Sequence, residues 1–365
     1  HNDYYPEYMR KYIFLLLTVS VCIGLGACSD RSSRLEIEYL PVRLEPGQTG
    51  TLVGSDGAYA DAEFKGFVSP VVNGFFTVKG KNGYDVYRYG QDKPVEGLSD
   101  LYRAGHMNDG LIPVRRRDGG ELEVTDDKGK VRFKMGSQVS NSEYFTDGML
   151  LVGEVDSESY QTRWGAVNSD GELTVPMKYD KLYHFNEGCA TASLDGKWML
   201  LDHGGDVIAE LDGVDNVSGY MLDGRMVAFK DGQYGFCNRS GKFQPLGQPL
   251  NILDFNGKYA IVNDASRLAY GVVDTDGESV IPLKYKFIQF YGSDRFVAQQ
   301  SDGVYLLLDS DGSQLAEIHE KGMHSFNGNT MFFSGDFLVG GEPGCYYLYG
   351  ADGRRLNDTP FYQLY

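Results

Sequence analysis

From about residue 40 to the end, the chain is a succession of short apolar runs separated by glycine-bearing turns. Gly188-Cys189-Ala190-Thr191-Ala192-Ser193 leads through Asp195-Gly196 into Trp198-Met199-Leu200-Leu201. Gly224-Arg225-Met226-Val227-Ala228-Phe229 leads through Asp231-Gly232 into Tyr234-Gly235-Phe236-Cys237. Aspartate and glycine both tolerate positive φ, so Asp-Gly between two apolar runs predicts a β-hairpin. A second turn follows in unit after unit, at Ser169-Asp170-Gly171, Ser240-Gly241, Thr275-Asp276-Gly277, Ser310-Asp311-Gly312 and Ala351-Asp352-Gly353. No stretch after the leader has the period and boundary signals of a helix.

The units repeat at near-constant spacing. Trp164-Gly165-Ala166-Val167, Trp198-Met199-Leu200-Leu201, Tyr234-Gly235-Phe236-Cys237 and Tyr270-Gly271-Val272-Val273 start 34, 36 and 36 residues apart, with a weaker copy at Val304-Tyr305. Trp164, Trp198, Tyr234, Tyr270 and Tyr305 are therefore read as core residues between units, with Gly165, Gly235 and Gly271 as structural glycines. The connecting segments Val175-Pro176-Met177-Lys178-Tyr179 and Ile281-Pro282-Leu283-Lys284-Tyr285 also match each other. Proline removes a ladder donor, so these segments should end strands or lie on edges. Units of this kind bury their faces against their neighbours. The prediction is an all-β repeat domain: a β-propeller-like ring of roughly seven to nine units, or alternatively an open stack of hairpins. Residues 359–365 stay apolar and aromatic, which suits a strand that closes a ring onto its own beginning.

Arg163-Trp164-Gly165-Ala166-Val167-Asn168-Ser169-Asp170-Gly171, with Val175-Pro176, Tyr179-Asp180, Phe185 and Gly188 after it, resembles the WG repeat of bacterial proteins. Residues 270–285 are similar, with tyrosine in place of tryptophan. The resemblance implies a repeat architecture and an interaction role more than a reaction.

The N-terminal part changes the picture of where the protein works. Met9-Arg10-Lys11 precedes the mostly apolar stretch 12–25, and Leu25-Gly26-Ala27-Cys28 closes it. That order predicts a secretory signal over residues 1–27, too short for a typical spanning helix, with residues 1–8 upstream of the true start. The Leu-Gly-Ala-Cys close resembles a lipobox, which implies acylation of Cys28. Residues 28–39 then read as a lipid-anchored linker, and 40–365 as the β-repeat domain. The expected location is the bacterial cell envelope, as an outer-membrane lipoprotein facing either the periplasm or the medium.

The formal net charge is −17. Such a chain lacks the basic footprint that phosphate backbones require, so nucleic acid is not an expected partner. The one basic run, Arg115-Arg116-Arg117, falls in a predicted strand, where alternation sends neighbours to opposite faces. Cys189, Cys237 and Cys345 show no Cys-x-x-Cys spacing and read as small buried hydrophobes.

Candidate chemistry is sparse. His319-Glu320-Lys321-Gly322-Met323-His324 resembles a zinc-protease motif, but its histidines are five apart and would not share a helical face. Asp274-Thr275-Asp276-Gly277-Glu278 and Asp309-Ser310-Asp311-Gly312 have calcium-loop character but lack the remaining ligands, and turn chemistry explains them. There is no nucleophile elbow, phosphate loop or dinucleotide fingerprint. His106 and His184 occupy equivalent repeat positions, with His324 near the same place, and are candidate ligand contacts on one rim together with Tyr183. Tyr160, Tyr183, Tyr220 and Tyr291 are candidate sugar-stacking residues. No catalytic residue, metal or cofactor is assigned. The expectation is a non-catalytic scaffold binding an envelope protein. A glycan-binding lipoprotein is the alternative, and a propeller-type carbohydrate-active enzyme the third reading.

Overall fold

A computed structural model describes residues 35–47, 50–326 and 333–364. The leader, Cys28 and the start of the linker lie outside the described residues. The strand-forming chain begins at Leu35, inside the stretch read as linker.

Six four-stranded antiparallel sheets follow one another along the chain, from Arg103–Ala104 to Gln314–Ile318. A ten-stranded sheet contains the rest. It divides into three further blades, because isolated bridges bring in the segments 58–64, 94–101 and 355–361 as outer positions. The described residues thus form nine blades, numbered here in ring order. Blade 1 combines Leu35–Arg43, Thr51–Gly54 and segment 58–64 with the last strand, Gln363–Leu364. Blade 4, a regular one, runs Ser140–Asn141, Met149–Val155, Thr162–Asn168 and Leu173–Tyr179 from inside to outside.

Nine apolar clusters each join two consecutive blades. One holds Met149, Leu151 and Val175 of blade 4 against Phe185, Ala190 and Leu201 of blade 5. Another packs Leu40, Val42 and Val53 of blade 1 against Phe337, Leu348 and Phe361 of blade 9. That contact closes the ring, and the ladder seals it: Val42 faces Leu364, and Arg43 faces Gln363. The C-terminal run therefore supplies the inner strand that blade 1 lacks. A closed ring has no terminal sheet faces to cap, which excludes the open stack.

The outer strands are the exposed ones. Leu173–Tyr179 and Ser279–Tyr285 carry Pro176 and Pro282 on these edges, where a missing donor costs no ladder bond. Both are bulged against the third strand: Trp164 pairs with Tyr179 and Ala166 with Val175, while Tyr270 pairs with Tyr285 and Val272 with Ile281. In these two blades the bulged outer strand passes directly over the glycine that follows the aromatic residue. A Cβ on Gly165 would lie 2.4 Å from the Val175 carbonyl oxygen, and one on Gly271 2.6 Å from that of Ile281. Gly235 is as tight against Gln244, at 2.2 Å, although its strand pairs with the outer one in regular register. In blade 5 the pairing of Met199 with Glu210 and Leu200 with Ala209 is regular at this point, and Met199 replaces the glycine. Trp198 and Tyr305 are buried, whereas Trp164, Tyr234 and Tyr270 are half-buried and pack against the inter-blade clusters.

Candidate functional site

The ring has two unlike faces. Turns from inner to second strand and from third to outer strand share one face, which also receives Leu35; it is called the entry face. The remaining hairpins, and the crossovers from each outer strand to the next inner strand, make the crossover face.

On the entry face the tight turns link blade to blade. Asp109 Oδ2 accepts the Gly148 N–H at 2.8 Å, Asp147 Oδ2 that of Gly188 at 2.7 Å, and Glu38 Oε2 that of Gly74 at 3.0 Å. Glu187 accepts from Asp223 N at 2.6 Å and Gly224 N at 2.9 Å. Asn108 and Asn186 donate to Phe145 O and Met221 O, at 2.7 and 2.6 Å. Asp109, Asp147 and Glu187 hold positive φ in these turns. The acidic turn residue thus shapes its own turn and bridges to the next. Asp147 also meets His203 Nε2 at 3.0 Å, which lowers the aspartate pKa and raises that of the imidazole.

Beneath the turns, inner-strand side chains converge on the axis. His106 stands edge-on to Phe333 at 5.0 Å, and Tyr144 stacks on His184 at 4.8 Å with ring planes 8° apart. Leu35, Val72, Tyr144 and Phe333 form an apolar cluster here. His106 and His184 are therefore packed against axial rings rather than offered on a rim, a correction to the sequence expectation. Its cause is that Tyr144, from the blade between them, and Phe333 meet the two imidazoles there. Burial lowers both imidazole pKa values, that of His184 to about 4, while Glu143 partly opposes the shift in His106.

This displacement has a measurable consequence. His184 gains its proton in the unfolded chain near pH 6.5 but resists it when folded, so its contribution is complete above pH 6.5 and declines as pH falls toward 4. The shift corresponds to about 3 kcal/mol. His184→Phe keeps a ring in the stack without a titrating group. Denaturant unfolding at pH 7 and pH 4.5 should show a smaller acid loss in the variant, by about 2 kcal/mol; equal losses would contradict the assignment.

Other candidates also change place. Tyr183 is half-buried, its ring 6.1 Å from Trp198 and its hydroxyl donating to Val217 O at 3.3 Å, so it is a packing residue. Tyr220 and Tyr291 are buried, and of the proposed sugar-stacking tyrosines Tyr160 alone is exposed, at 83%. His319 and His324 are exposed on extended chain, and His324 lies beside, not in, the axial position: its buried neighbour Ser325 bonds to the Phe290 carbonyl. Glu320 accepts from the Tyr349 hydroxyl and pairs with Arg355 at 2.7 Å. Asp274 accepts from the N–H groups of Asp276 and Glu278, which is a turn and uses the carboxylate that a cation would need. Arg115 ends its strand and Arg116 and Arg117 lie in the following turn, not in a strand as predicted. Burial raises the Cys189 and Cys237 thiols to about 11. Two shallow clefts flank the later blades, one of about 470 Å³ on the entry face lined by Asp223, Arg225, Lys258, Tyr259 and Asp311. The other, of about 450 Å³, is on the crossover face and is lined by Asp302, His319, Glu320, Lys321 and Cys345.

Residues missed by sequence reasoning lie on the crossover face. Phe67 (60% exposed), Tyr102 (43%) and Tyr362 (40%) stand where the inner strands of blades 2, 3 and 1 begin. The Arg43 guanidinium lies 5.6 Å from the Phe67 ring, and that of Arg103 6.0 Å from Tyr102. They fall outside the aromatic-glycine register, so the repeat pattern did not mark them.

The family described as WG containing repeat matches residues 164–198 and 270–305. Those two stretches are matched as WG repeats. Each match runs from the third strand of one blade to the third strand of the next, so the WG period is offset from the blade boundary. No curated protein matches the chain. Among solved structures the ring is similar to a eukaryotic initiation factor, at 10% identity and TM-score 0.52, over 90% of this chain and 85% of that one. It is also similar to dipeptidyl peptidase 4 of Porphyromonas gingivalis, at 9% identity and TM-score 0.50, over 80% of this chain and 60% of that one. At such identities the likeness concerns the fold alone.

Proposed function

We propose that the protein is a lipid-anchored envelope scaffold that works by binding another protein rather than by catalysing a reaction. One observation carries the reading: the acids and imidazoles gathered on the inner entry face are committed to joining blades. Asp109, Asp147, Glu187 and Glu38 accept backbone N–H groups of the following blade, His106 is packed against Phe333, and His184 stacks on Tyr144. Such contacts rigidify a platform, and repeat platforms recognise partners through their outward surfaces. Crosslinking in intact cells followed by affinity purification tests this. A single abundant protein partner is the expected result; retention on a polysaccharide matrix instead would overturn it in favour of glycan binding, the second reading, for which the exposed Tyr160 is the motivating feature.

The anchor is proposed at Cys28, on the Leu-Gly-Ala-Cys close of the signal, with the outer membrane as the destination. Cys28→Ser should move the protein from the membrane pellet to the soluble fraction. A variant that stays in the pellet would count against acylation.

A further inference from the structure

We infer that the outer segment of blade 1, residues 58–65, is a strap that lifts off the ring at the seam with blade 2 and uncovers the edge of Thr51–Gly54, while the other blades stay fastened. This device belongs to the ring itself and does not depend on the anchored-scaffold reading.

Eight blades share one turn from third to outer strand. Its first residue bonds both ways, as Asn168 does in accepting the Gly171 N–H and donating to Glu172 O, at 3.0 Å each. Three residues after that first residue comes a glycine at positive φ in all eight. Each of these glycines lies against the outer segment of the preceding blade. An added Cβ would come 2.0 Å from Glu96 O at Gly129, 2.3 Å from Glu210 O at Gly241 and 2.8 Å from Leu356 Cβ at Gly57. The loosest of the eight, Gly312, would still bring it within 3.1 Å of Ile281. Such close fit fastens the rim of one blade to the next.

Blade 2 lacks this fastener. It consists of Phe67–Val68, Phe75–Lys79, Tyr84–Arg88 and segment 94–101. Its turn places the exposed Gln91, not a glycine, three residues after Arg88. A side chain there excludes the close rest of turn on strand seen at the other seams. Aromatic rings stand in its place: Phe64 of the strap reaches Phe76 at 5.0 Å and Tyr87 at 5.6 Å, and Tyr39 stacks on Tyr89 at 4.2 Å. Nearer the axis the two blades share a ladder, with Ile37 facing Val72 and Tyr39 facing Val71. On its other side blade 2 is fastened to blade 3 by Gly129 and by Arg88 on Asp127 at 3.0 Å. The seam between blades 1 and 2 is therefore hinged at the axis and free at the rim.

The strap is lightly held. Its residues are exposed or half-buried, none of them buried. Two isolated bridges, Gly50 with Phe64 and Val53 with Tyr59, tie it to the third strand, where blades 4 and 7 have ladders. The Thr51 hydroxyl adds one bond, to Ala62 O at 2.7 Å. Both ends are pinned: Gly57 lies on Leu356, and a Cβ on Gly66 would come 2.2 Å from Lys79 O. A segment with little buried surface between two fixed ends opens locally while the rest stays folded. Beneath it all four residues of Thr51–Gly54 are buried, so the open strap presents an apolar strand edge that the closed ring hides. Phe64 is the latch, because its ring crosses from the strap to blade 2.

Hydrogen exchange read by mass spectrometry on the native full-length protein tests this. Peptides covering 50–66 should exchange at least about ten-fold faster than those covering the outer strands of blades 4 and 7, which are edges too. Equal protection at the three places would overturn the strap. Phe64→Ala should speed exchange in 50–66 and 84–92 about ten-fold more and leave blades 4 and 7 unchanged. No change at 50–66, or a rise shared by all blades, would overturn the latch. A disulfide between Val53→Cys and Tyr59→Cys, in a Cys345→Ser background, should slow the strap to the rate of blade 4. A stapled strap that still exchanges at the wild-type rate would contradict lifting at this seam. None of these readouts involves the anchor or a partner, so their failure is distinct from failure of the proposed function.

Discussion

Replacing Gly165 with alanine should destabilise the ring by about 2–3 kcal/mol, near the top of the range for adding a methyl group to a filled site. The obstruction is backbone, not a movable side chain: the new Cβ would lie 2.4 Å from Val175 O, 2.7 Å from Met177 N and 2.8 Å from the Pro176 carbonyl carbon. Relief requires the outer strand to give up its bulge, and with it the pairing that sets Trp164 opposite Tyr179. Gly271→Ala should behave alike, since the same bulge passes over it. Blades 5 and 6 bound the account, since regular pairing accommodates Met199 in one and leaves Gly235 as crowded in the other. The denaturant midpoint checks this; alanine variants at 165 and 271 that unfold with the wild-type midpoint would refute the bulge account of the aromatic-glycine pair.

Phe361→Ala should cost about 3–5 kcal/mol, the usual penalty for emptying a buried phenylalanine site. Phe361 is fully buried, bridges to Tyr346 within blade 9, and packs beside Leu40, Val42 and Phe337 in the cluster between the first and last blades. Its loss removes apolar contact at the seam where the two ends of the chain meet. The damage should be local first: limited proteolysis should cut the variant near both ends of the described chain before it cuts blades 4 to 7. Uniform fragmentation, or a loss comparable to that of an exposed substitution, would mean that the seam is not what holds the ends together.

Much of this architecture was legible in the chain because its causes are local. Asp-Gly turns, short alternating runs, the edge prolines and the apolar tail each depend on a few neighbouring residues, and the closing strand at Gln363–Leu364 follows from that tail. Blade boundaries were harder to read. The aromatic-glycine mark sits on the third strand, and blades 1, 2 and 9 complete their outer positions through isolated bridges with little pattern. The equivalence of His106 and His184 was readable from the turns after them. Their environment was not, since it depends on Phe333 and Tyr144 arriving from distant parts of the sequence. Phe67, Tyr102 and Tyr362 escaped notice for a related reason: the path of each crossover sets their exposure, and residue type alone does not report it.

The central physical claim is closure, nine blades sealed by pairing the last strand with the first. Arg43 and Gln363 face each other across that seam. Cysteines at both positions, in a Cys345→Ser background, should form an intramolecular disulfide under mild oxidation in nearly all native molecules, seen as a reducible mobility shift. Absence of that bond in folded protein, with the two thiols still reactive toward maleimide, would contradict the ring and leave an open array.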